Sequence, residues 1–93
     1  MFTFTIFSKA GCSHCARTKE LMHKLGLKYS AQELELGDYT KEEFFSRFGM
    51  GATFPQVVLT EWVAGQDGSP EEVNCTIGGM RETVTYLKAK NYI

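Results

Sequence analysis

Two cysteines with two residues between them, Cys12 and Cys15 in the run Gly11-Cys12-Ser13-His14-Cys15, are the side chains best suited to covalent chemistry. Thiol-disulfide exchange needs a thiolate, and an ordinary cysteine, with a pKa near ~8.5, supplies little of it at neutral pH. A helix N-terminus stabilises such an anion, because its first N–H groups are unpaired and together carry roughly half a positive charge. Cys12 is expected just before a helix and Cys15 one turn inside it. That makes Cys12 the candidate nucleophile and Cys15 a more shielded resolving thiol. Lys9 is close enough in sequence to add positive charge, and His14, pinned between the cysteines, does the same when protonated.

A lone Cys-x-x-Cys pair can also be half of a zinc site. The other ligands would then be Cys75, His14 and His23, whose spacings match no common finger, so no metal site is expected. Lys9 taken alone is more often a solvated lysine than a site residue. His23 is expected on the polar face of its helix. Cys75, in a short strand, is expected to be a small buried residue and not a third redox group.

The surrounding pattern says what positions the pair. Phe2, Phe4 and Ile6 alternate with Thr3, Thr5 and Phe7, as in a buried strand. Ser13 to Leu25 has an apolar face at Leu21, Met22 and Leu25 and is closed by Gly26, which predicts a helix. Leu27, Tyr29 and Ala31 suggest a second strand, and the change of phase before Leu34 suggests its bulge or early end. Thr40 and Glu43 form a capping box ahead of Phe44, Phe45 and Phe48, a second helix. Gln56 to Thr60 predicts a third strand, with Cys75 to Ile77 as its hairpin partner. Glu61 to Val73, with Gly65, Asp67, Gly68, Ser69 and Pro70, predicts a long loop between them. After Gly78-Gly79, the spacing of Met80, Val84 and Leu87 gives a last helix. The order β-α-β-α-β-β-α predicts an α/β fold, a four-stranded mixed sheet flanked by helices.

Ninety-three residues, 43% hydrophobic and 13% aromatic, fit a single domain spanning 1–93. Ten basic residues against eleven acidic ones leave a charge of −1. No run of lysines or arginines marks a nucleic-acid or anionic-lipid surface, so neither partner is expected. Met1 to Phe7 lacks a basic leader and reads as a strand, and no stretch approaches the roughly 20 apolar residues of a membrane span. An odd number of cysteines, with one close pair, favours a reducing, cytoplasmic setting, and the chain is expected to be a monomer.

The runs Lys9-Ala10-Gly11-Cys12-Ser13-His14-Cys15, Thr53-Phe54-Pro55-Gln56-Val57 and Ile77-Gly78-Gly79 together resemble the glutaredoxin family of the thioredoxin-like fold. The resemblance implies a thiol-disulfide oxidoreductase that reduces protein disulfides or protein–glutathione mixed disulfides, with glutathione as reductant. It also implies a cis Pro55, with Thr53 and Phe54 beside it offering backbone groups to the cysteine of glutathione. The double glycine resembles the turn that brings the last helix to the γ-glutamyl end, which makes Gly79, Met80, Arg81 and Glu82 candidates there; Lys9 and His14 complete the glutathione set. Backbone donors at a helix start favour a carboxylate on physical grounds alone. Two departures stand out: Ser13-His14 replaces the family's common Pro-Tyr, and Phe54 replaces its usual valine. The small Ser13 also resembles members that bridge a [2Fe-2S] cluster with glutathione, the alternative function. His14 resembles the central histidine of a periplasmic disulfide oxidant, but that protein's helical insertion is missing here.

Overall fold

The computed structural model describes residues 1–93. Its elements are β1 (Phe2–Ser8), α1 (Ser13–Lys24), β2 (Tyr29–Glu33), a 3-10 turn at Leu34–Leu36, α2 (Lys41–Phe48), β3 (Gln56–Ala64), β4 (Pro70–Gly78) and α3 (Met80–Ala89). The four strands form one sheet in the order β2-β1-β3-β4. β1 pairs parallel with β2, Phe4 opposite Tyr29 and Ser8 opposite Glu33. It pairs antiparallel with β3, Phe4 opposite Leu59 and Phe7 opposite Gln56. The chain therefore folds as the four-stranded mixed α/β sheet its pattern predicts, in the thioredoxin-like arrangement the resemblance implies.

Alternation along β1 sends its side chains to two different layers. Phe4 and Ile6 join Val57 and Leu59 of β3, Met22 of α1 and Leu87 of α3 in the main core. Burying each such side chain contributes roughly 1.5–3 kcal/mol. Phe7 points the other way, into an aromatic layer under α2, with ring centroids 5.3 Å from Tyr39 and 5.2 Å from Phe48. The capping box that starts α2 is present: the Glu43 N–H donates to Thr40 Oγ1 at 3.1 Å, and the Thr40 N–H to Glu43 Oε1 at 3.0 Å. β2 ends at Glu33, where the change of phase becomes the 3-10 turn, closed by Gly37 in the left-handed region.

The largest departure from expectation is the segment Glu61 to Val73. It is mostly strand: β3 and β4 run on past the core, Glu61 opposite Val73, Trp62 opposite Glu72 and Ala64 opposite Pro70. The turn residues are confined to the tip, where the Gly65 N–H donates to the Ser69 carbonyl at 2.7 Å. Cys75 is the second correction. It lies in β4, an edge strand, and is exposed.

Candidate active site

Cys12 and Cys15 meet where β1 hands the chain to α1. Gly11 makes the turn with a φ of +74°, a region that side chains with a Cβ rarely adopt. Cys12 then takes extended backbone angles as the N-cap of α1. Its Sγ accepts a hydrogen bond from the Cys15 N–H at 3.1 Å, so one of the helix's unpaired donors is aimed at the sulfur. The two cysteines are joined as a disulfide, with Cα atoms 5.2 Å apart. They differ in access: Cys12 is half-buried and Cys15 only 1% exposed. His14 is exposed in the first turn, and its carbonyl accepts the Thr18 hydroxyl at 2.7 Å. His23 is exposed, as its place on the polar face requires.

The turn that carries the pair is tied to the distant 3-10 segment. The Ala10 N–H donates to Glu35 Oε2 at 3.0 Å. Below it, Ser8 Oγ donates to Glu33 Oε2 at 2.6 Å, and Lys19 Nζ donates to Glu33 Oε1 at 2.7 Å. These donors, Lys19 first and Ser8 second, hold the Glu33 carboxyl below its ordinary pKa. The buried Tyr39 hydroxyl donates to the Ser8 carbonyl at 2.5 Å. Burial first, and then the carboxylates of Glu33, Glu35 and Asp38, push its pKa up to about 12. Sequence reading missed this tether, since its partners lie as much as 31 residues apart and no local pattern pairs them.

The Phe54-Pro55 peptide is cis. Pro55 is buried, and a Cβ placed on Gly79 would lie 3.5 Å from its carbonyl oxygen, so the start of α3 adjoins this junction. Thr53 is exposed, its carbonyl accepting from Gln56 Nε2 at 2.9 Å. Lys9 lies over the Phe54 ring, 4.8 Å from its centroid. Beside them opens a cavity of about 430 Å³ lined by Ala10, Leu34, Phe45 and Phe54, with Lys9, Lys41 and Glu35 as its charged residues. Lys41 is another residue that sequence reading did not single out.

At α3 the expected anion site is already partly occupied. Glu82 turns back and accepts the Gly79 N–H on Oε1 at 2.9 Å. Gly78 leaves room for it: its φ is +124°, and a Cβ there would come within 3.0 Å of the Glu82 side chain. Glu82 thus ties down the first donor of the helix. Met80 is half-buried and Arg81 exposed in the same turn. No group of three or more His, Cys, Asp or Glu side chains converges in a way that could hold a metal ion. A two-iron cluster needs four soft ligands, of which this site supplies only the accessible thiol of Cys12. No helix is long and apolar enough to cross a membrane.

A mixed sheet with a cysteine pair at the first helix start and a cis-proline leading into β3 defines a thioredoxin-like thiol-disulfide oxidoreductase. Comparison with known proteins narrows the class. The glutaredoxin family model matches residues 4–62, more than half of the chain. Glutaredoxin 1 of Rickettsia typhi is 27% identical over 94 aligned residues, covering 98% of this chain and 86% of that protein. A wheat glutaredoxin structure superposes with a TM-score of 0.62 at 25% identity, over 91% of this chain and 72% of the other. Glutaredoxin 1 of Francisella tularensis, at 19% identity, shares the fold with a TM-score of 0.63 over 98% and 99% of the two chains. The chain belongs to the glutaredoxin family, and its activity is thiol-disulfide exchange.

Proposed function

We propose that residues 1–93 act as a single glutaredoxin-type domain that uses glutathione to reduce protein–glutathione mixed disulfides and protein disulfides. The observation that carries this reading is the asymmetry of the pair: Cys12, reachable and receiving a helix N–H, beside a Cys15 that is almost wholly enclosed. The Cys12 thiolate attacks the glutathione sulfur of a mixed disulfide. The protein thiolate leaves and takes up a proton, and Cys12 is left bonded to glutathione. A second glutathione thiolate attacks that glutathione sulfur, releasing oxidised glutathione and restoring Cys12. For a protein disulfide, Cys12 bonds to the target first. Cys15 then attacks Cys12, the target leaves as a dithiol, and two glutathiones reduce the enzyme disulfide.

Glutathione's position follows from the same elements. Its cysteine lies along the Thr53-Phe54-Pro55 backbone, its γ-glutamyl end at the Gly79 to Glu82 turn and its glycyl carboxylate at Lys9. His14 stands at the exposed mouth. The protein works in a reducing, cytoplasmic setting as a monomer, on glutathione and on disulfide-bearing or glutathionylated proteins.

A glutathionylated peptide assayed with glutathione, glutathione reductase and NADPH tests this reading, set against the same peptide with thioredoxin, thioredoxin reductase and NADPH as electron source. Turnover with the first system and little with the second is expected. The reverse order would overturn the glutathione reading while leaving the family intact.

A further inference from the structure

We infer that Phe54 is a positioning residue that holds the Lys9 ammonium in place for the glycyl carboxylate of glutathione, and so sets the enzyme's discrimination for that carboxylate. The inference rests on the glutathione reading above.

Three groups form one stack. The Phe44 ring, buried on α2, lies 4.1 Å from the Phe54 ring at an interplanar angle of 9°, so one face of Phe54 is fully covered and its orientation is fixed from the core. Lys9 Nζ lies 4.8 Å from the centroid of the same ring. An ammonium over an aromatic face is drawn to the negative side of the ring quadrupole, and Phe44 cannot move away because it also packs against Tyr39 and Phe48.

An exposed lysine otherwise samples many rotamers, and fixing it on binding costs free energy. Here that cost is reduced before the ligand arrives. Lys9 has no ion-pair partner, since the salt bridges present are Lys19–Glu33 and Lys24–Glu20. Glu35, which lines the same cavity, accepts the Ala10 N–H on Oε2 and forms no salt bridge with Lys9. The cation is therefore placed over the ring without an ion pair, three residues before the sulfur that must receive glutathione. A leucine or valine in place of Phe54 could fill the space against Phe44 but would present no π face to Lys9.

Two thiols that differ only at the carboxylate test this: glutathione and its glycyl monoethyl ester. The readout is the ratio of KM for the ester to KM for glutathione, taken on one enzyme preparation so that a general loss of activity cancels. Wild type should prefer glutathione. Phe54→Leu should lower the ratio by about two- to fivefold, the size of a cation–π contact at an exposed site. Phe54→Tyr should keep it, and Lys9→Met should bring it to about one. Phe54→Ile serves as a second apolar variant if the leucine form folds poorly. A wild-type ratio in Phe54→Leu alongside a reduced one in Lys9→Met would overturn the proposal, because Lys9 would then act without the ring. If wild type turns over with dithiothreitol but not with glutathione, the underlying function falls as well, and that outcome is distinct from an unchanged ratio.

Discussion

The two ends of β3 and β4 are built on different principles. Near Pro55, β3 lies in the core, where Val57, Val58 and Leu59 are buried, and β4 pairs with it as the sheet's edge. Beyond Thr60 the same two strands continue as an arm held by their mutual pairing and, at its base, by the Trp62 N–H donating to the Met1 carbonyl at 3.1 Å, with Trp62, Val63 and Val73 all exposed. Four of the chain's eleven carboxylates, Glu61, Asp67, Glu71 and Glu72, lie on this arm and none of its ten cations do, whereas Lys9 and Lys41 both line the cavity beside Phe54. The cysteines show what location does to one residue type. Cys12 gains an N–H and a helix end, Cys15 is sealed, and Cys75, exposed on the edge strand opposite Leu59, has no hydrogen-bond donor aimed at it. Reactivity here belongs to the position and not to the thiol.

The largest effects should come from breaking this contrast chemically. Cys12→Ser puts a hydroxyl that stays protonated in place of the thiolate, and exchange with every substrate should fall to background. Cys75→Ser should leave turnover unchanged in the same assay. Cys15→Ser should retain deglutathionylation, resolved by a second glutathione, while reduction of an intramolecular disulfide peptide drops. Equal loss on both substrates would contradict the assignment of Cys15.

Stability should divide the two ends next. Phe4→Ala removes a fully buried ring and should cost about 3–5 kcal/mol in denaturant unfolding, whereas Val73→Ala on the arm should cost under about 1 kcal/mol. In native-state hydrogen exchange, the amides of Phe4 to Phe7 should open only with global unfolding. Those of Trp62 to Val63 and Glu71 to Val73 should open with much less free energy. Comparable protection in both regions would show that the arm is held by more than its own ladder and the Met1 contact at its base.

A smaller effect should follow pH. Because the folded pKa of Tyr39 is raised to about 12, its contribution is complete below the unfolded value near ~10 and lost as pH rises from there towards 12. Glu33 acts in the opposite direction: its folded pKa is lowered, so its contribution is present above the unfolded carboxylate range and lost as the solution is acidified through the folded value. Unfolding free energies measured across both ranges for wild type, Tyr39→Phe and Glu33→Gln check this, each variant flattening its own limb. An effect as small as that of Val73→Ala is expected from Glu82→Ala, which frees the Gly79 N–H and should cost about 0.5–1 kcal/mol in the same unfolding measurement.

The same division explains what could be read in the sequence. Where burial imposes a period, the pattern was legible: the strand before Cys12, the helix behind it, the Thr40–Glu43 box and the Met80, Val84, Leu87 face all match elements present. The arm was not legible, because neither face of Glu61-Trp62-Val63-Ala64 or of Glu71-Glu72-Val73 is buried and no alternation marks it as strand. Turn formers that occupy only the tip were read across the whole segment. The burial expected of Cys75 rests on the habit of its residue type, which an edge strand does not enforce. At the site, the cysteines and the Phe54-Pro55 junction could be found from local motifs. The Phe44–Phe54–Lys9 stack and the Glu35 tether could not, because each joins residues brought together only by the fold.

The central claim is that helix position makes Cys12 the nucleophile and enclosure keeps Cys15 in reserve. Alkylation of the fully reduced protein by substoichiometric iodoacetamide at neutral pH, mapped by peptide mass spectrometry, tests it most directly. The account predicts that Cys12 is modified well ahead of the exposed Cys75, with Cys15 last; modification of Cys75 before Cys12, or of Cys15 as fast as Cys12, would contradict it.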